Sequence, residues 1–361
     1  MHQLPFYPGQ KLSFTTDSEL FHDVYTTEIK EVYHDRLELY ITLHRGYLLL
    51  IPIGTTIRWL DTNSQWEFTS QVISRQPAKQ TWSVTIPVPK NVQRKSRVIA
   101  IGSGKGGAGK TTLAINLSLA LSALGNRVII LDADLGMANV EVLLRLNTRL
   151  NLTNVLKGEC TLKDILIPGP SGIKVIPGSS GISALTSIDA VQFNRIISGF
   201  ADLEEQSDIF IIDTGAGISE VVLRFLEAAD DLVLVTNTEP HAMMDTYALA
   251  KALAYRNPDI KPYLIINRCE SEAEARKCSQ TFNKAASRFL KVQPELLGWI
   301  YDDKKVSKSL KNQKPLFLSD PHSEYSRSVL NIAKKLLGKK VKAGRQSGIV
   351  SFINKFKRSF G

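Results

Sequence analysis

The sequence predicts a mostly parallel, doubly wound α/β domain, preceded by a small all-β, barrel-like domain and followed by a C-terminal amphipathic helix. Three observations carry that expectation. Residues 9–88 break into short alternating runs, the chain from Arg97 onward alternates continuous apolar runs with longer amphipathic ones, and residues 349–360 gather their apolar side chains on one helical face. A chain of 361 residues is long enough for two domains plus appendages.

The N-terminal runs are KLSFTT, VYTTEIKEV, RLELYITL, YLLLIPI, TTIRWLD, QWEFTSQVI and TWSVTIPV, all rich in β-branched and aromatic residues. Glycine, Asp-Thr-Asn and Arg-Gln-Pro breaks separate them. They define an all-β domain over residues 1–90, and a polar linker follows at 91–96 after Pro87 and Pro89. From Arg97 the strand-like runs are RVIAIG, NRVIILDAD, GIKVIPG, DIFIIDTG, DLVLVTNT, KPYLIINR and LLGWIYD, with helical segments between them. Runs apolar on both faces belong in a sheet covered on both sides, and they assign residues 97–340 to one α/β domain. Residues 341–361 form the tail.

Composition narrows the setting. No run of about 18 uncharged apolar residues occurs, and MHQLPFYPGQ lacks a basic region followed by an apolar one, so neither a spanning helix nor secretion is expected. Cys160, Cys269 and Cys278 show no metal-type spacing and suit a reducing cytosol. The formal charge of +10 favours an anionic partner. Lys334, Lys335, Lys339, Lys340, Lys342, Arg345, Lys355, Lys357 and Arg358 concentrate that charge near the C-terminus.

Gly104-Lys105-Gly106-Gly107-Ala108-Gly109-Lys110-Thr111 satisfies G-x-x-x-x-G-K-[ST] and lies after a strand and before a helix. Glycines let backbone N–H groups wrap phosphate without Cβ clashes, and the helix N-terminus adds favourable partial charge. Lys110 is expected on the β- and γ-phosphates of a nucleotide, Thr111 on Mg²⁺ through its hydroxyl, and Thr112 on a further phosphate. Asp213 ends an apolar strand, the place of an aspartate that holds Mg²⁺ through water. Asp132 and Asp134 end another.

The loop GKGGAGKTT, with its additional Lys105, resembles the deviant Walker A loop of the MinD/ParA family of P-loop ATPases. That resemblance implies an ATP-dependent homodimer in which Lys105 reaches the partner's nucleotide. It also implies a catalytic set of Lys105, Lys110 and Asp134, with Asp134 positioning the attacking water. Asn267 and Arg268 follow a late strand, where the family uses asparagine to recognise adenine; an amide offers both donor and acceptor to the purine edge, which favours ATP.

The stretches LDADLGMANVEVLL, NLTNVLKGECTLKDIL, VIPGSSG, IIDTGAGIS and TEPHAMMDTYALAK resemble the FlhG branch, which controls flagellar number and placement. The resemblance runs over about 240 residues, from Arg97 to roughly Leu337. It implies a flagellar basal-body or FlhF-like partner. The short Asp-Gln-Ala-type N-terminal segment by which many FlhG proteins stimulate FlhF has no counterpart here. Residues 1–90 instead resemble the N-terminal domain of YcgR-type flagellar brakes through YPGQKLSF, YLLLIPIGTTIRW and EFTSQVI. No cyclic di-GMP site is expected, because Arg94 and Arg97 have the wrong spacing for the RxxxR motif of a PilZ domain.

On a helical wheel Ile349, Phe352, Ile353, Phe356 and Phe360 fall within an arc of roughly 100°, with Arg358 opposite and Lys355 and Lys357 flanking. This is the pattern of a helix lying in an anionic membrane interface, and it implies peripheral attachment to the cytoplasmic face of the cell membrane. A terminal helix docked on the protein's own core would show the same pattern. A DNA-partition ATPase of the ParA type is the rival function. The basic residues interleave with apolar ones and no helix-turn-helix signature occurs, so no specific nucleic acid is expected. The paired ligand cysteines of a nitrogenase-reductase type and the tyrosine-rich tail of a kinase type are both missing from the sequence.

Overall fold

The computed structural model describes residues 6–16, 25–41, 43–44, 47–48, 51–60, 66–78, 81–88, 93–94, 96–134, 139–178, 199–200, 203–258, 260–290, 293–339 and 348–358. Two compact units are present. One holds the chain up to Lys95, and the other holds Ser96–Lys339 together with the C-terminal helix.

The N-terminal unit is built on β1 (Lys11–Thr16), β2 (Tyr25–Val32), β3 (Arg36–Ile41), β6 (Thr56–Leu60), β7 (Trp66–Gln71), β8 (Ser74–Ala78), β9 (Thr81–Pro87) and β10 (Gln93–Arg94), with β4 (Leu43–His44) and β5 (Tyr47–Leu48) as a separate pair. The eight strands form one antiparallel sheet in the order β10-β7-β6-β1-β2-β3-β9-β8. Alternate residues turn inward: Tyr25 and Ile29 on β2, Leu37, Leu39 and Ile41 on β3. With Phe14, Trp59 and Phe68 they make a separate aromatic-rich core.

Among the described residues the sheet is a half-barrel with β10 and β8 at its two ends, in keeping with the barrel-like domain expected. One expectation for this unit needs correction. Arg75-Gln76-Pro77, read as a break, lies within β8, paired in order with Val84, Ser83 and Trp82 of β9. Proline lacks a donor and survives in a strand whose outer side needs none, so the same residue that looked like a terminator marks an edge.

The second unit carries the sheet β13-β14-β12-β15-β11-β16-β17-β18, parallel except for β13. Its strands are β11 (Arg97–Ser103), β12 (Val128–Ala133), β13 (Ile167–Pro168), β14 (Lys174–Ile176), β15 (Ile209–Ala216), β16 (Asp231–Asn237), β17 (Tyr263–Cys269) and β18 (Glu295–Tyr301). The helices are α1 (Lys110–Ala123), α2 (Val140–Leu143), α3 (Leu152–Lys157), α4 (Glu220–Ala228), α5 (Pro240–Arg256), α6 (Glu272–Phe289), α7 (Lys304–Lys311), α8 (Leu316–Ser319), α9 (Glu324–Gly338) and α10 (Ile349–Arg358). Every residue of β11 is buried. Val98 and Ala100 face the core under α4, α5 and α6, whereas Ile99 and Ile101 face the core under α1 and α9. This two-sided burial is what the continuous apolar runs required. Serine caps open several helices: Ser219, Ser271 and Ser323 accept hydrogen bonds from the backbone of Val222, Glu274 and Ser326.

The tail helix α10 packs on this unit. Ile349, Phe352, Ile353 and Phe356 are all buried, and the rings of Phe352 and Phe356 lie 6.2 and 4.7 Å from Phe225 of α4. The face read from sequence as lipid-binding is therefore covered by protein in this conformation. Phe360 lies outside the described residues. Two carboxylates hold the start of the helix: Gly348 N–H donates to Asp230 at 3.0 Å and Val350 N–H to Glu204 at 2.8 Å. Lys355 lies 3.7 Å from the other Asp230 oxygen.

Candidate functional site

The carboxyl ends of six parallel strands, β12, β15, β11, β16, β17 and β18, converge on one edge of the sheet, the place where an open α/β sheet binds its ligands. The 104–111 loop leaves β11 there and turns into α1. Gly109 caps α1 with φ 92°, in the left-handed region where a side chain is strained. A Cβ on Gly109 would overlap Asn267 Nδ2, and a Cβ on Gly104 would overlap the backbone of Asp245 and Thr246 in the second turn of α5. The glycines are required by these close approaches as well as by the phosphate they would wrap.

Neighbouring strands brace the loop. Ser103 Oγ donates to the Lys105 carbonyl at 2.8 Å, Gly217 N–H to the Ser103 carbonyl at 2.9 Å, and Thr214 Oγ1 to the Ile101 carbonyl at 2.9 Å. The two loop lysines differ sharply. Lys110 is 7% exposed, and burial lowers its pKa against the opposing pull of Asp213 and Asp134. Lys105 is exposed.

Asp213 is wholly buried, and neither of its carboxylate oxygens is held by a well-formed hydrogen bond. Burial pushes its carboxyl up to about 7, with the nearby Thr111 hydroxyl and Lys110 pulling the other way and Asp132 and Asp134 adding to the rise. A buried, unsatisfied carboxylate is expensive unless a cation completes it. Mg²⁺ is held by one or two carboxylates together with phosphate oxygens and water, so Asp213 and Thr111 beside a phosphate cradle fit that ion. Asp134 sits across from them. Its Oδ1 is 3.6 Å from where a Cβ on Gly215 would stand, and its charge is felt at both Lys110 and Asp213.

Beyond the loop opens a cleft of about 400 Å³ whose lining includes Thr112, Asn237, Asn267, Arg268, Tyr301 and Asp302. Its size and position beside the cradle suit a nucleoside. Asn267 lines it, and part of its amide is engaged: one Nδ2 hydrogen goes to the Ala108 carbonyl at 2.8 Å and Oδ1 accepts the Arg268 N–H at 3.0 Å, which leaves a second N–H and a second lone pair for a purine edge. Asn267 thus clamps the phosphate loop from 159 residues away, a task its sequence position did not announce. Arg268 is exposed at φ 54°.

Gly104 to Thr112, Asp134, Asp213, Asn267 and Arg268 are brought to one edge, and the tail residues are placed elsewhere, against α4. Asp132, Asn237 and the Asp245–Thr246 backbone were not singled out as site residues from sequence. Asp132 alone carried a signal, as the first acid of the strand-end Asp-Ala-Asp. Burial holds the Cys269 and Cys278 thiols up to about 11, as packing residues. Among the described residues no helix is long and apolar enough to cross a membrane.

Comparison with known proteins adds to this geometry. A family model described as an AAA domain matches residues 96–265. The chain is 37% identical to the antiactivator FleN of Pseudomonas aeruginosa over 240 residues, 66% of this chain and 86% of that protein. It is 31% identical to the flagellum site-determining protein YlxH of Helicobacter pylori over 274 residues, 74% of this chain and 91% of that one. Among solved structures, the septum site-determining protein MinD of Pyrococcus horikoshii, complexed with Mg-ADP, aligns with a TM-score of 0.55 and 26% identity, covering 67% of this chain and 96% of that one.

Proposed function

This chain belongs to the MinD/ParA family of P-loop ATPases, and on that premise we propose that it is a dimerising, membrane-cycling switch that regulates flagellar number, placement or assembly. The family hydrolyses ATP, and ATP with Mg²⁺ are the ligands the site is built for. The names of the P. aeruginosa and H. pylori relatives, an antiactivator and a flagellum site-determining protein, support the flagellar part.

One observation carries the dimer reading: of two lysines in the same loop, Lys110 is buried in its own site and Lys105 is exposed. Lys105 is thereby available to a second copy. Lys110 would bind phosphate, Thr111 and Asp213 would hold Mg²⁺, the latter through water, and Asp134 would orient the attacking water. Bound Mg²⁺ supplies neutralisation of phosphate charge. Asn267 keeps the loop in shape and offers its remaining amide N–H and lone pair to adenine, and Arg268 borders the base cleft.

The membrane part rests on α10. Its apolar face is docked here, so lipid and α4 compete for the same four side chains. A single released helix binds weakly, while two in one dimer gain about 10²–10⁴-fold in avidity. Association would be peripheral and cytoplasmic, on anionic lipid, with a flagellar basal-body or FlhF-like protein as the further partner.

Co-sedimentation with anionic vesicles tests this, using the intact protein, a chain ending at Gly348 and Lys105→Ala, each with ATP or ADP and Mg²⁺. ATP-enhanced binding should vanish on truncation, and Lys105→Ala should bind ATP yet stay monomeric and off the vesicles. Salt-sensitive DNA binding that survives truncation would instead favour the ParA-type reading.

A further inference from the structure

Asp132, next to the last residue of β12, lies in register with Asp213 of β15, yet it has no part in the roles above. It is 1% exposed and is absent from the lining of the nucleoside cleft. Its carboxylate instead collects three backbone donors. Oδ1 accepts the Asp134 N–H at 3.1 Å, and Oδ2 accepts those of Asn139 and Val140 at 2.8 and 3.0 Å.

These donors lie at the two ends of one segment. Asp134 opens it and carries the side chain facing Lys110 and Gly215; Asn139 and Val140 close it at the first turn of α2. Hydrogen bonds from N–H groups to an ionised carboxylate are roughly twice as strong as neutral ones. Both ends of the segment are therefore drawn to one buried point anchored in the sheet.

We propose that Asp132 is a positioning residue for hydrolysis, a clasp that fixes where Asp134 stands. The inference rests on the reading of Asp134 as the residue that orients water. Its physical basis is the steepness of reactivity with geometry, since a misplacement of about 1 Å can lower a rate about 100-fold. An asparagine at 132 keeps the shape but has one acceptor oxygen in place of two and turns an N–H₂ toward N–H donors. At least one bond is lost, and Asp134 and the start of α2 are held less firmly to Asp132.

The test is a cycle of Asp132→Asn, Asp134→Ala and the double variant, each assayed for ATP dissociation constant, steady-state turnover and thermal midpoint. Asp132→Asn should reduce kcat about tenfold or more and leave ATP affinity within about twofold. In the Asp134→Ala background it should do nothing further, because the group it positions is gone. Should the asparagine protein not fold, Asp132→Ser, which keeps a short oxygen acceptor without the buried charge, carries the same cycle. Normal turnover of Asp134→Ala would remove the reading on which the inference rests. Slow Asp134→Ala with normal Asp132→Asn, or losses that multiply in the double variant, would overturn the clasp itself.

Discussion

Replacing Phe225 by alanine separates the docking of the tail helix from its affinity for lipid. Phe225 belongs to α4, the receptor, and leaves Ile349, Phe352, Ile353 and Phe356 untouched. Its ring stacks on Phe352 at 6.2 Å with an interplanar angle of 17° and meets Phe356 in a tilted contact at 4.7 Å and 34°. Each aromatic pair is worth about 0.5–1.5 kcal/mol beyond area burial. Truncating a core phenylalanine costs about 3–5 kcal/mol in all, part of which falls on α4 itself. The share lost to docking is then about 2–3 kcal/mol, a factor of roughly 30–150 in the docked-to-released ratio. The assay is vesicle co-sedimentation with Mg-ADP, where the docked form should dominate in the wild type. Phe225→Ala should bind anionic vesicles in ADP to about the extent that the wild type binds in ATP. Phe352→Ala, which damages both docking and the lipid face, should not. Hydrogen exchange along α10 reports release independently. If Phe225→Ala frees α10 by exchange and vesicle binding does not rise, the docked face is not the lipid face and the competition argument fails.

Further outcomes follow from single contacts. Gly104→Ala places a Cβ into the Asp245 carbonyl and Thr246 nitrogen, which no side-chain motion relieves, so ATP affinity should fall at least tenfold; calorimetric titration showing unchanged affinity would refute the close approach. Burial pushes the Asp230 carboxyl up to about 6, against the opposing pull of Lys355 and the Val98 and Gly348 N–H groups. A released helix solvates Asp230 and returns it toward 3.8, so the docked form holds its proton more tightly. Docking should therefore strengthen as pH falls through about 6 and relax above it, by at most about 1 kcal/mol between pH 7.5 and 5.5. Exchange protection of α10, corrected for intrinsic rates, that rises with pH would contradict this sign.

Much of the site was legible because its signals are local. The glycine loop, its two lysines and Thr111 are contiguous, and a strand before and a helix after are both written in apolar periodicity. Asp213 and Asp134 were legible as acids that terminate apolar runs, since in a parallel sheet that is the functional edge. Asp132 stood in the same Asp-Ala-Asp, but its three backbone donors come partly from residues seven and eight positions on, and only the turn of the chain brings them back.

Other features depended on partners far away in sequence. The N-terminal strands were visible as period-two runs, but the order in which they pair, with β1 between β6 and β2 and with β10 and β8 at the two ends among the described residues, depends on long-range contacts. Asn267 was readable as a polar residue after a strand, and the fold gave it the Ala108 carbonyl. The tail shows the division most plainly. Its amphipathic pattern established that residues 349–356 need an apolar cover, because the hydrophobic effect is non-directional and sets a demand without naming what meets it. Lipid, a partner or the protein's own core satisfy that demand equally on a helical wheel. The tertiary structure supplied Phe225 in stacking distance, and Asp230 and Glu204 at the helix start, which made the protein's own α4 the cover in this conformation.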